Sequence, residues 1–332
     1  MHKYLGIIII GVLLFMQSCD FEAKSDLNVD LSSTAKPEIN IKRYGKTMFA
    51  IPQDVFMDSV LTLTSEYPLF FEGGRSDSLA LLSLKSFFAD QYMRELNDEV
   101  QEKYSDLKPI EEQLSNAMQH FKYYFPTSVD YNYYTYISGL DLQYPIKVVD
   151  NNVVIGLDLF LGETKVYALS GFPKYKSRWF NQESLVPDIM SEMAMGLLPE
   201  PDMSAKLLHH FIEQGKRLYF VQAMMPSISD TLLLKYTQQQ YDWCNSHEAR
   251  LWSLMIENQF LFKSELSIKK KFMDDGPFTS ILSSSAPARL GQFIGWKIVS
   301  KYMAKNDVSL QELINETDDQ KILKKSKYKP AR

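Results

Sequence analysis

The stretch PDIMSEMAMGLLPEPDMSAKLLHHFIEQGKRLYF, residues 187–220, decides how the rest of the chain is read. It predicts two helices with a break at Pro199 and Pro201, since proline cannot continue a helix. Pro187 suits a first helical turn, and Asp188 beside it favours the positive end of the helix dipole. The second helix is expected over residues 204–225. The spacing within the pair is that of a zinc-peptidase core whose metal-binding histidines have been replaced. Where H-E-x-x-H would stand, the chain has Ser191-Glu192-Met193-Ala194-Met195. Glu213, eighteen residues after Met195, stands where a third zinc ligand is expected.

A catalytic zinc needs three protein ligands and an open position for water. Glu192 keeps the place of the general base in such a motif. Serine is a poor zinc ligand, and a thioether is soft and neutral. Ser191 and Met195 therefore remove two of the three ligands, and Glu213 alone cannot hold the ion. The residues predict no catalytic zinc and no other cofactor. His209 and His210 lie one turn before Glu213, and either can share a helix face with it. A rearranged metal site built from His209, His210 and Glu213 is the alternative to a capped or solvent-facing histidine pair. His120 and His247 show no ligand spacing. The chain has no G-x-S-x-G elbow, no glycine loop to cradle phosphate and no C-x-x-C, and Ser283-Ser284-Ser285 reads as a lead-in to the helix after it.

A length of 332 residues allows one large domain or two modest ones. Hydrophobic residues make up 45% and charged residues 23%, which is enough apolar material for a sizeable core. The 19 Tyr and 20 Phe are expected mainly inside that core. A net charge of −5 with no basic face excludes a nucleic-acid partner. The two cysteines, Cys19 and Cys244, give no disulfide framework, and Cys244 beside Trp243 reads as a buried small hydrophobe.

The N-terminus sets the compartment. In MHKYLGIIIIGVLLFMQSCD, a short positive start precedes an apolar run from Leu5 to Met16, too short for a comfortable spanning helix. With Ser18 before Cys19 this resembles a bacterial lipoprotein signal peptide over residues 1–18, leaving Cys19 as the lipidated (palmitate-type) first residue. Met16 and Gln17 depart from the usual lipobox, so an ordinary secretory signal or plain N-terminal anchor is the rival. Either way the rest of the chain is exported. Residues 19–38 are polar and read as a flexible tether from the membrane.

Beyond the tether, residues 39–332 read as one α+β domain, mostly helical, with a small mixed or antiparallel sheet. Residues 39–126 form a helical N-terminal subregion. It begins with a strand over 39–49 and continues with helices over 54–65, 77–93 and 107–123, whose apolar residues recur at three and four. Residues 127–332 hold the sheet and the core helices. Strands are expected over 129–138, 146–149 and 153–160, with Asp150-Asn151-Asn152 as the hairpin turn. Helices follow over 231–262, as more than one helix, then over 287–303, where Gly291 and Gly295 permit close contact, and over 310–314. The basic tail 321–332 reads as solvated, with a partner patch as the alternative.

Five segments, taken in order, resemble a known family. They are Glu66-Tyr67-Pro68-Leu69-Phe70-Phe71, Phe121-Lys122-Tyr123-Tyr124-Phe125-Pro126, the run VIGLDLFLG at 154–162, Ile212-Glu213-Gln214-Gly215-Lys216, and PARLGQFIGW at 287–296. With the lipoprotein-like signal they resemble the GldB family, gliding-motility-associated lipoproteins of the Bacteroidetes. That family is in turn similar to predicted zinc proteases of the gluzincin type, so the resemblance implies a zincin-like fold with Ser191, Glu192 and Met195 on the motif and Glu213 on the third ligand. It implies a membrane-anchored envelope protein, periplasm-facing or in the outer membrane, whose partners belong to the gliding and secretion machinery. The first expectation is a non-catalytic scaffold that holds a peptide or protein in the old substrate groove. There the strand 153–161 would pair with an extended chain, and Arg289 or Asp158 would contact it. For Arg289 the alternative is a structural salt bridge, and for Asp158 and Glu192 a carboxylate satisfied inside the fold. An active envelope metallopeptidase with a rearranged site and a purely structural lipoprotein are the other readings.

Overall fold

A computed structural model describes residues 27–71, 78–200, 202–279 and 282–330, so Cys19 and the signal segment lie outside the described residues. The first elements are strand β1 (Ile41–Lys42) and helices α1 (Tyr44–Phe49), α2 (Phe56–Leu63), α3 (Ser78–Ala89), α4 (Gln91–Lys103) and α5 (Lys108–Tyr124). The strand expected over 39–49 is therefore only two residues long. Tyr44 and Met48, four apart, are both buried, and that spacing belongs to a helix. The helix expected over 77–93 is two helices. Asp90 stands between them, and its carboxylate accepts from the Met93 N–H at 3.0 Å as an N-cap.

The segment before β1 is fastened along α5. The Gln119 side chain donates to the carbonyl of Thr34 at 2.7 Å, Ser115 donates to the carbonyl of Pro37, and Lys36 pairs with Glu112 at 2.9 Å. The Ile41 N–H then meets Glu111 at 2.9 Å. Residues 31–41 thus run from the C-terminal half of α5 back toward its start.

Next come strands β2 (Asn132–Tyr136), β3 (Ile146–Val149) and β4 (Asn152–Gly156). The sheet order is β1-β2-β4-β3, with β1, β2 and β4 parallel and β3 antiparallel to β4. Val148 sits opposite Val153, and Asp150 takes the left-handed conformation (φ 52°) that the hairpin turn requires. Two expectations are corrected here. The strand ends at Gly156, and the chain turns into a 3-10 helix over Leu157–Phe160. β4 is also internal, hydrogen-bonded on both sides, so it has no free edge for an extended partner.

Asp158 explains the early end of β4. It is fully buried, and its carboxylate accepts from the Ser138 N–H, the Ser138 hydroxyl and the Leu140 N–H, each at 2.8 Å. It ties the chain after β4 to the loop after β2. Burial holds its carboxyl above the usual range even against these three donors.

The remaining helices are α6 (Lys165–Leu169), α7 (Lys174–Ser177), α8 (Gln182–Leu197), α9 (Leu207–Met224), α10 (Asp230–Leu234), α11 (Gln238–Glu257), α12 (Leu266–Met273), α13 (Leu290–Lys305), α14 (Leu310–Asn315) and α15 (Asp319–Ser326). The first helix of the opening stretch starts five residues before Pro187, capped by the Asn181 side chain on the Ser184 N–H at 3.0 Å, so Pro187 lies inside it. It stops at Leu197, because Leu198 precedes Pro199 and is extended. The tail expected in solvent is folded back. Ile322 and Tyr328 are buried, and the Tyr328 ring packs edge-on against Trp252 at 4.8 Å.

α9 is the axis of the structure. Its Phe220 ring meets Phe121 and Phe125 of the α5 region at 6.2 and 6.1 Å. On the opposite side α13 crosses it through glycines. A Cβ on Gly215 would come within 2.3 Å of the Gly295 carbonyl, and one on Gly295 within 1.8 Å of the Phe211 carbonyl. Only glycine lets the two backbones meet this closely.

Candidate functional site

The helix pair of the opening stretch forms two sides of a cleft of about 580 Å³. α9 supplies His210, Glu213, Gln214, Arg217 and Val221, which recur at three and four and so share one face. α8 supplies Asp188, Ser191 and Met195 by the same spacing. α12 closes the far side with Leu266, Lys269, Lys270 and Met273, and the start of α13 adds Arg289 and Gln292. The volume falls within the range of about 300–1,000 Å³ typical of ligand sites.

The polar groups in the cleft are largely committed to one another. Arg217 donates from Nε to the Ser191 hydroxyl, and its Nη2 lies 3.2 Å from the Glu192 carboxylate. Lys235 pairs with Asp188 at 2.7 Å. Lys269, a buried cation, is satisfied by the carbonyls of Met203 and Ala205. Arg289 donates to the Lys235 carbonyl at 3.0 Å, lies 3.4 Å from Asp275 and faces the Tyr236 ring at 5.8 Å. It both lines the cleft and makes the salt bridge. Burial raises the Glu192 carboxyl above its usual range, and Arg217 pulls it back down.

The mouth is apolar. Met195, Met203 and Leu266 are 46%, 70% and 56% exposed, large values for apolar side chains gathered at one opening. Leu198, Pro199 and Met273 continue the surface inward. Methionine adapts its shape to whatever packs on it, which suits a surface that takes apolar groups.

The residues present do not fit a catalytic zinc. Ser191, at the first ligand position, accepts from a guanidinium, a fixed cation beside the place a metal cation would need. The histidines give no substitute. The Glu213 carboxylate lies between His209 Nε2 at 3.4 Å and His210 Nδ1 at 3.7 Å, but His209 Nδ1 is held by Asp319 at 3.0 Å. Among the described residues, no group of three or more His, Cys, Asp or Glu side chains is arranged to hold a metal ion. The Asp319 contact raises the His209 imidazole above its usual value.

The structure thus brings Ser191, Met195, His210, Glu213 and Arg289 to one cleft. Glu192 sits beside it on Arg217, and His209 turns toward α15. Asp158, expected as a groove contact, is correctly read only by its alternative, as a carboxylate satisfied inside the fold. No strand residue lines the cleft, so a chain bound there gains nothing from the sheet. The sequence reading misses Arg217, although its place four residues after Glu213 puts it on the same face. It also misses Asp319, which is 110 residues from His209 and reaches it only by tertiary folding.

Comparison with curated proteins and with solved structures gave no match. No helix among the described residues is long and apolar enough to cross a membrane. The profile of the family described as gliding motility protein GldB matches residues 24–330, and the chain belongs to that family.

Proposed function

We propose that this protein is a lipid-anchored envelope component of the gliding and secretion machinery. Its cleft between α8, α9 and α12 serves as a non-catalytic binding site for an apolar segment of a partner protein. The observation that carries this is the Arg217 guanidinium shared by Ser191 and Glu192, beside a methionine-lined opening. A general base neutralised by a fixed cation is poorly placed to activate water. An open apolar mouth, by contrast, is what a docking segment needs. The spacing of Ser191, Glu192, Met195 and Glu213 supports descent from a zinc-peptidase core whose chemistry has been lost. Anchoring is read from the Ser18-Cys19 end of the signal-like segment.

A photo-crosslinking amino acid placed at Met203 in cells tests this, with Leu169, exposed and away from the cleft, as the control. The expected result is a crosslink to one envelope protein from position 203 and none from 169, lost when Met195 and Leu266 are changed to Glu. A stoichiometric, tightly held metal in the purified protein, lost together with a peptidase activity on Glu213→Ala, would overturn it in favour of the metallopeptidase reading.

A further inference from the structure

The chain carries −5 overall, yet residues 320–332 hold five lysines, one arginine and no acid. The fold gathers these lysines with two more. α15 turns Ile322 and Ser326 inward and leaves Lys324 and Lys325 exposed, and Lys327 and Lys329 follow on the surface. The end of α13 abuts this turn, because the Asn306 side chain reaches the Lys325 carbonyl at 3.4 Å, which brings exposed Lys305 alongside. Lys301 lies over the Tyr328 ring at 5.6 Å. Of the acids nearby, Asp307 is exposed, and three others are spent elsewhere. Glu316 takes Lys321, Asp319 takes His209, and Glu248 takes the Tyr328 hydroxyl at 2.8 Å. Among the described residues, no acidic side chain pairs with Lys305, Lys324, Lys325, Lys327 or Lys329.

A run of hydrogen bonds joins this patch to the place where the N-terminal segment reaches the domain. Leu31 and Thr34 bond to Gln119, and one turn further along α5 the Tyr124 carbonyl accepts from Gln311. Gln311 lies in the first turn of α14, six residues beyond Lys305. The same end of α5 exposes the Tyr123 ring, and Val129 lies exposed in the loop that follows. A patch of cations linked through Gln311 to a helix end that exposes an aromatic ring offers the side-chain types of a bilayer interface.

We infer that the lysines of α15 and the end of α13 dock the domain onto an anionic phospholipid surface, holding it flat beside its anchor. A single lipid attachment positions a domain loosely, and a polybasic patch supplies the second contact. The inference rests on the proposed anchoring for its geometry but not for its charge.

The test uses the full-length protein in vesicles with a rhodamine-labelled headgroup and a fluorophore on Asp307→Cys. Asp307 is exposed beside the patch, and Cys244 is buried and unreactive. Energy transfer is expected to be higher in phosphatidylcholine vesicles containing about one-third phosphatidylglycerol than in phosphatidylcholine alone. It should fall to the neutral-vesicle level in about 0.5 M salt and in Lys305→Glu/Lys324→Glu/Lys325→Glu. Reversing exposed Lys46, Lys108 and Lys174 should leave it unchanged. Equal transfer in the two vesicle types, or an undiminished signal in the triple variant, overturns the inference. Intact mass reads the acyl group separately. If it is absent, the anchoring reading fails, and the patch is then tested by flotation, with partition onto anionic vesicles at least about tenfold above neutral ones. Equal partition overturns it.

Discussion

Arg217 on α9 and Glu192 on α8 are 3.2 Å apart, and the same guanidinium donates to Ser191, so one cation is shared by two consecutive residues of the neighbouring helix. The contact ties the two helices together and leaves the Glu192 carboxylate paired with a cation.

The pH dependence of this pair follows from the raised Glu192 carboxyl. When the folded pKa of an acid is raised, the native state keeps a proton that the unfolded chain has lost. Stability then falls as pH rises through the folded value. Removing Arg217 raises it further. Arg217→Ala is expected to cost about 1–2 kcal/mol near neutral pH, discounted because both groups are partly exposed. Part of that loss should return on acidification, and Arg217→Ala/Glu192→Gln should lack the pH-dependent part. Urea unfolding over a pH series measures both, and a loss that ignores pH would remove the ion-pair account.

His209 has the opposite sign. Its imidazole is raised, first by the hydrogen bond to Asp319 on α15, with Glu213 on its own helix and Asp202 before it acting the same way and burial opposing. A raised histidine stabilises fully below its unfolded value and loses that contribution as pH rises through the folded one. Between about pH 6 and pH 8 the protein should lose about 0.5–1 kcal/mol through this group. His209→Gln or Asp319→Asn should flatten the slope. Denaturant midpoints at the two pH values decide it.

The glycine crossing predicts a sharp contrast between positions. A Cβ at Gly295 would overlap the Phe211 carbonyl, so Gly295→Ala should cost more than about 3 kcal/mol or prevent folding. Gly196, in α8, has nothing within 4 Å of the place a Cβ would take, and Gly196→Ala should stabilise by about 0.5–1 kcal/mol. Thermal unfolding of the two variants side by side is sufficient.

Asp158 should behave as a structural residue. Asp158→Asn puts an amide where three donors converge on two oxygens, leaving at least one buried N–H or O–H without an acceptor. The expected loss is about 2–3 kcal/mol, with no change in crosslinking from position 203. A stable Asp158→Asn protein with altered crosslinking would return this carboxylate to the cleft.

The sequence is legible where one element carries its own pattern. The apolar stripes of α5, the break at Pro199, the Asp150 turn and the close approach at Gly291 and Gly295 depend on neighbours within a few residues. It misleads where a distant group overrides the local signal. The apolar run after Val153 reads as strand to Leu161, but Asp158 is drawn to Ser138 and bends the chain. Pro187 resembles a helix start, and the N-cap at Asn181 lies earlier, where the chain first leaves the loop. The basic tail reads as solvated because the partners that bury Tyr328, namely Trp252 and Glu248, lie some eighty residues earlier. Ser191 and Glu213 can be placed by spacing alone, whereas what occupies the space between their helices, Arg217, depends on how α8 and α9 pack.

The glycine contact between α9 and α13 also makes the cleft mechanically lopsided. α9 is clamped backbone to backbone against α13 and tied to α8 through Arg217, so that side behaves as a fixed jaw. α12 is a helix of eight residues, held to the stretch before α9 by Lys269 on the carbonyls of Met203 and Ala205. α12 also has its own anchor in the fully buried Phe272 ring against Phe260, so the far wall is held by side chains where the near wall is held by backbone.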